Sequence, residues 1–184
     1  MTDLQQFLRS AAFAARKHRL QKRKDADASP YINHPIEVAA ILAGDGGVTD
    51  IVTLVGAVLH ATLEDTETTP AELVREFGPV IRDLVQEVTD DQRLPKAARK
   101  AVQAAGAPHL SPRAKLIRIA DKIANVRDVA HHPPAHWDLV RRREYLDWTE
   151  QVVAGCRGVR AALEALYDRA LEEGRVALGA GRRG

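Results

Sequence analysis

Apolar residues in this chain recur three and four positions apart in one segment after another, and nowhere do they alternate with polar ones over a strand's length. A chain patterned this way can bury its apolar side chains only by forming helices. The spacing predicts a helix from about Asp3 to His18 on Leu4, Phe7, Leu8, Ala11, Ala14 and Ala15, and a second on Ile36, Ala39, Ala40 and Ala43. A third begins at Asp50 on Ile51, Leu54, Val55, Val58 and Leu59. Further sets are Val80, Ile81, Leu84, Val85 and Val88, then Leu116, Ile119, Ala120, Ile123 and Val126, with two more helices expected over 137–154 and 159–173. The fold class is therefore all-α, a single bundle of about 8–10 helices.

The punctuation agrees with the periodicity. Asn33 or His34 caps the second helix with Pro35 in its first turn, and Gly44, Gly46 and Gly47 end it. Thr69, Pro70 and Glu72 form a capping box, Gly78-Pro79 separates two helices, and Ser111-Pro112 opens a long one. Between Gln92 and Pro108 a basic, Ala-rich helix is expected to break around Gly106 to His109. With 184 residues and 45% apolar side chains, one core suffices, so residues 1–174 form one domain and the Gly/Arg-rich segment 175–184 is expected to be a frayed tail.

The charge balance narrows the function. There are 27 basic and 25 acidic residues, too even to imply nucleic-acid binding through net charge, so any anion must be recognised locally. One cysteine excludes an internal disulfide framework and a Cys-rich zinc site, which suits a cytoplasmic protein. No run approaches the roughly 18 apolar residues of a membrane span, and the N-terminus does not resemble a signal peptide. Monomer and homodimer are both open at this level.

Three separated elements offer metal-type ligands: His34 at a helix start, His60 in the third helix and Asp121 in the helix opened by Ser111. Two imidazoles and a carboxylate suit manganese, iron or zinc. Each also has a plainer reading. His34 is then a cap or surface residue, His60 a satisfied core histidine, and Asp121 the partner of Arg118 on an exposed helix face. Glu64 follows His60 by four residues, which on a continuous helix sets it one turn above on the same face. Glu64 and Asp65 stand where the helix dipole disfavours anions, a mild cost that points to use in activating water. The cations Lys22, Arg23 and Lys24, with Lys96, Arg141, Arg142 and Arg143, would neutralise a polyphosphate or else form a solvated face.

Taken together, several ordered motifs resemble one family. They are Ala15-Arg16-Lys17-His18 leading to Arg23-Lys24, Pro30-Tyr31-Ile32-Asn33-His34-Pro35, Leu59-His60 with Glu64-Asp65-Thr66, Glu87-Val88-Thr89-Asp90-Asp91, and Ala120-Asp121-Lys122 with Asn125-Val126-Arg127-Asp128. From about residue 5 to residue 170 the chain resembles the small alarmone hydrolases, stand-alone relatives of the RelA/SpoT hydrolase domain within the HD-domain superfamily, and its metazoan members especially. The resemblance implies an HD-domain helical bundle and manganese-dependent removal of pyrophosphate from the 3′ position of guanosine tetra- or pentaphosphate. It implies that His34, His60 and Asp121 hold the metal and that Glu64 and Asp65 orient and activate water. By the same resemblance Arg23 and Lys24 lie along the purine and its phosphates, Asn125 reads base or ribose, and Lys96, Arg141 and Tyr145 approach the phosphates. No synthetase domain is expected.

One position departs from the family. Its signature is His followed directly by a metal-ligating Asp, and here the pair is His60-Ala61. A methyl group offers no donor, so the implied site keeps at most three protein ligands and loses a negative charge, and weak or absent activity is expected. Two alternatives stand beside hydrolysis of this alarmone: a non-catalytic alarmone-binding protein, and an HD phosphohydrolase acting on another 3′- or 2′-phosphorylated nucleotide, such as an adenosine alarmone or NADPH.

Overall fold

The computed structural model describes residues 1–179, and among them it contains ten α-helices, one 3₁₀ turn and no sheet beyond a single antiparallel bridge between Lys22 and Pro30. The helices are α1 (Asp3–Lys17), α2 (Asn33–Ala43), α3 (Ile51–Leu59), α4 (Thr62–Asp65), α5 (Pro70–Phe77), α6 (Pro79–Glu87), α7 (Lys96–Gly106), α8 (Pro112–His131), α9 (Leu139–Cys156) and α10 (Ala161–Ala177). The 3₁₀ turn Ala107–His109 stands where the break after Gly106 is expected.

Most of the local signals act as their chemistry requires, but neither Asn33 nor His34 caps α2, whose cap position is Ile32 without a side-chain hydrogen bond. Thr69 Oγ1 accepts the Glu72 N–H, and Pro70 fills the first turn of α5. The reciprocal half of that capping box is not made, because the Glu72 carboxylate reaches Lys17 on α1 instead. Gly78 turns the chain between α5 and α6 with φ of 86°, a conformation that a Cβ would strain. Ser111 Oγ accepts the Ala114 N–H to open α8.

Helix α8 is the axis of the molecule and packs against α10, α9, α2 and α3. Every residue from Ile117 to Ala124 is buried, so apolar and polar sectors alike face protein. This corrects the expectation of an exposed polar face: Arg118 and Asp121 are 8% and 6% exposed, and Arg118 reaches Asp90 rather than Asp121. Helix α3 crosses α6 and α8 so closely that a Cβ on Gly56 would stand 2.7 Å from Leu84 Cδ2.

The third helix is also not continuous. It ends at Leu59, and α4 restarts at Thr62. His60 Nδ1 lies 2.7 Å from the Ala57 carbonyl and Thr62 Oγ1 donates to the Leu59 carbonyl at 2.7 Å, so two side chains take acceptors that the helix ladder would otherwise use. The interruption re-aims the chain between His60 and Glu64. At the other end α10 runs through Ala177, three residues into the segment expected as tail, because Arg175 pairs with Asp147 and Glu150 on α9 and Leu178 is buried. The rest of that tail, residues 180–184, lies outside the described residues. No helix among them is long and apolar enough to cross a membrane.

Thr62 is fully buried, so Thr62→Val leaves the Leu59 carbonyl without its donor. The variant is expected to lose about 1–2 kcal/mol of unfolding free energy in urea titrations; an unchanged midpoint would show that the interruption does not depend on this hydroxyl.

Candidate functional site

His34 is the second residue of α2, His60 follows the last turn of α3, and Asp121 lies in the middle of α8. Packing of these helices brings the three side chains together, with ligand atoms within 4.8 Å of one another and every residue buried. His34 Nε2 is 3.0 Å and His60 Nε2 3.8 Å from Asp121 Oδ1, and the two rings meet edge to face at 5.4 Å. The plainer readings of His34 and His60 as a surface cap and an isolated core histidine do not describe this arrangement.

The donor set fits a divalent ion. A carbonyl can only accept, so the Ala57 oxygen fixes the proton on His60 Nδ1 and leaves the Nε2 lone pair facing Asp121. Burial pushes the His60 pKa down to about 4, against the pull of the Asp121 carboxylate, so the ring is neutral at physiological pH. Burial would also raise the Asp121 carboxyl, yet Lys122, the His34 hydrogen bond and His60 outweigh it and hold it well below the usual range. Its charge is secured by Lys122 Nζ at 2.8 Å on Oδ2 and Asn125 Nδ2 at 2.8 Å on Oδ1. Ala61, 1% exposed, brings no donor atom.

These residues line a cleft of about 380 Å³. Glu64 lies in its wall and accepts the Asp90 N–H at 2.9 Å. Burial pushes its pKa up to about 7, with the neighbouring Asp90 and Asp65 carboxylates adding to burial and the Asp90 N–H opposing it. Asp90 is itself held by Gln103 and by Arg118, whose guanidinium also donates to the Val88 carbonyl. Arg23, Lys24, Lys96, Asn125 and Tyr145 line the same cleft, Arg23 paired with Asp128. Among the described residues Lys22, Lys24 and Lys96 have no carboxylate within ion-pair distance. Burial lowers the Lys96 pKa, and the Arg141 and Lys24 charges lower it further.

Two expected site residues stand apart. Asp65 is exposed and outside the cleft lining, its carboxylate close enough to Tyr31 to help raise that phenol's pKa, after burial. Arg141 lies beyond the lining too, stacked 4.6 Å over Trp137, whose ring also carries Lys96 at 5.3 Å. Sequence reasoning named Tyr145 but missed the wall that it forms with Trp137 and Trp148, with successive ring centroids 5.3 and 5.2 Å apart, and missed Lys122 and Lys100 above Trp148. A usable signal was present: the chain has only two Trp and three Tyr, and both Trp and two Tyr line the cleft.

Comparison with known proteins agrees with this geometry. Residues 10–147 match the model of the HD domain. The chain is 52% identical over 163 residues to the human guanosine-3′,5′-bis(diphosphate) 3′-pyrophosphohydrolase MESH1, covering 89% of this chain and 91% of that protein. It is 43% identical over 162 residues to the protein of the same name from Drosophila melanogaster, covering 88% and 90%. Among solved structures, a metazoan orthologue of SpoT that hydrolyses ppGpp superposes with a TM-score of 0.88 at 41% identity, covering 91% of this chain and 94% of that one.

Glu64 binds its proton more readily in the fold than in the unfolded chain, where such a carboxyl titrates near 4.5. Its contribution to stability is therefore complete below pH 4.5 and is lost as pH rises through about 7, while buried neutral His60 has the opposite slope between about 4 and 6.5. Subtracting the stability of Glu64→Gln from that of the wild type isolates the first effect. In metal-free protein this difference is expected to fall by about 2–3 kcal/mol between pH 4.5 and about pH 8 in urea titrations; a flat difference would mean that Glu64 titrates normally.

Proposed function

We propose, from the premise that this chain belongs to the HD-domain family, that it is a metal-dependent guanosine 3′,5′-bis(diphosphate) 3′-pyrophosphohydrolase. The observation that carries the reading is the convergence of His34, His60 and Asp121 at a cleft whose walls hold unpaired lysines and aromatic rings. With relatives of this name aligned over nearly their whole length, neither a non-catalytic alarmone-binding role nor another phosphorylated nucleotide is favoured.

His34 and His60 through nitrogen and Asp121 through Oδ1 would hold the metal, with manganese the ion that completes this reading. A divalent ion there makes water a stronger nucleophile and draws charge from phosphoryl oxygens. The remaining work falls to the chain's own groups. Water attacks the phosphorus bonded to the ribose 3′ oxygen, that P–O bond breaks, pyrophosphate departs, and the 3′ hydroxyl is restored. Glu64, with a pKa of about 7, suits receiving the proton from water at neutral pH and giving it up afterwards. Asp65 orients the approach from the rim beside Tyr31. Arg23 and Lys24 lie along the purine and its phosphates, Asn125 reads base or ribose, and Lys96, Arg141 and Tyr145 approach the phosphates; the unpaired charge of Lys24 and Lys96 in the cleft supports their part in phosphate binding. The cytoplasm is the compartment that suits a chain with one cysteine, buried and unpaired.

Ala61 limits this chemistry. With three protein ligands and one carboxylate, the site holds its ion weakly and turnover is low. Supplied with Mn²⁺ and guanosine tetraphosphate, the wild type is expected to release pyrophosphate slowly, and Ala61→Asp to accelerate it by about 100-fold or more, equivalent to roughly 3 kcal/mol of barrier. In that background Glu64→Gln should cost about 10²–10³ in rate. Equal rates for wild type and Ala61→Asp would refute the role given to position 61. Lys96→Ala is expected to weaken nucleotide binding about tenfold in calorimetry while leaving Mn²⁺ affinity unchanged; loss of both together would mean that Lys96 supports the metal ligands rather than the phosphates.

A further inference from the structure

The two oxygens of Asp121 are engaged by different groups. Oδ1 faces the imidazoles of His34 and His60, and Oδ2 is held by Lys122 Nζ at 2.8 Å. Lys122 is 2% exposed, and its ammonium also lies 4.5 Å from the ring of Trp148, over which Lys100 stands at 4.7 Å. Among the described residues its only ion pair is with Asp121. The nearby Arg118 is committed to Asp90 and the Val88 carbonyl. An ammonium this deeply buried is tolerated only beside a charge of opposite sign, and the same holds for the carboxylate.

The charge sum around the nest then has a consequence. Ligating imidazoles bind as neutral rings, Asp121 contributes one negative charge, Lys122 cancels it, and Ala61 adds nothing. A divalent ion therefore enters a nest of zero net charge, with a fixed cation on the far oxygen of its one carboxylate. Resting on the assignment of His34, His60 and Asp121 as ligands, we propose that Lys122 is an internal counter-cation for Asp121, which keeps the empty nest folded and, by occupying the same carboxylate, weakens its hold on a divalent ion. Removing the ammonium destabilises the metal-free protein, where the carboxylate is left alone, more than the metal-bound protein, where the ion takes its place. Affinity rises by that difference, of which the relief of like-charge repulsion is one part.

Titration calorimetry of the full chain with Mn²⁺ alone, paired with thermal melts, tests this. Lys122→Met and Lys122→Gln are expected to melt below the wild type without metal, to bind Mn²⁺ about tenfold or more tightly, and to gain more melting temperature on its addition. The Gln variant is one bond shorter than Lys but keeps a neutral N–H donor that can turn toward Oδ2, so a shared outcome in both variants is not a packing defect peculiar to Met. Folded variants whose Mn²⁺ affinity equals or falls below the wild type's would overturn the proposal and make Lys122 a group that merely positions Asp121. Failure of both variants to fold even in excess Mn²⁺ would overturn it too, because the ion should replace the ammonium. Ala61→Asp separates this failure from that of its premise: no heat with Mn²⁺ in any protein, Ala61→Asp included, removes the ligand assignment itself.

Discussion

A buried carboxylate at the centre of α8 sets the terms for the rest of the molecule. Asp121 is 6% exposed, and a charge withdrawn from water has to be met by donors or cations. Lys122 and Asn125 come from its own helix, and His34 and His60 come from α2 and the end of α3. Those helices can reach it only if they pack directly on α8, which they do, and the apolar residues of α8 facing α9 and α10 complete the enclosure. The same helix is thus the backbone of the core and the floor of the site.

The cleft above that floor is organised by a second constraint, the shortage of aromatic residues. Trp137, Tyr145 and Trp148 form one wall, and Lys96, Lys100, Lys122 and Arg141 stand over their rings. Ring faces attract these cations without neutralising them, so the charges of Lys96, Lys100 and Arg141 are held in place yet available to an anion, whereas Lys122 is already paired with Asp121. In the same lining Glu64 and Asp90 are tied together through a backbone N–H, and burial turns Glu64 into a group that changes protonation near neutrality. Cations and a proton acceptor in one cleft suit phosphate-ester hydrolysis.

Much of the helix plan was legible because its signals are short-range. Pro70, Gly78-Pro79 and Ser111-Pro112 mark helix starts through φ restriction, backbone permissiveness and a side-chain cap, all acting within four residues. The candidate ligand triad was legible by residue type and by resemblance, as were the Arg23 and Lys24 cations of the cleft lining. Three features were not. The interruption at His60 and Ala61 depends on side chains capturing the carbonyls of Ala57 and Leu59, which an apolar period does not register. The burial of Arg118 and Asp121 depends on what packs against α8. The role of Lys122 depends on Trp148, 26 positions away in the chain and a whole helix removed.

By itself the sequence determined that this chain is helical, where most of its helices begin, which side chains have metal-binding and phosphate-binding chemistry, and that position 61 carries no donor. Only the tertiary structure decided that His34 and Asp121, 87 positions apart, meet at 3.0 Å. It also decided that Asp65 and Arg141 stand at the rim while Glu64 lies inside, and that Asp121 shares its charge with Lys122. The division follows from range. Helix formation and capping are decided among residues a turn apart, whereas the strength of a charge, the pKa of a carboxyl and the reach of a ligand depend on how much water the packing of distant helices excludes.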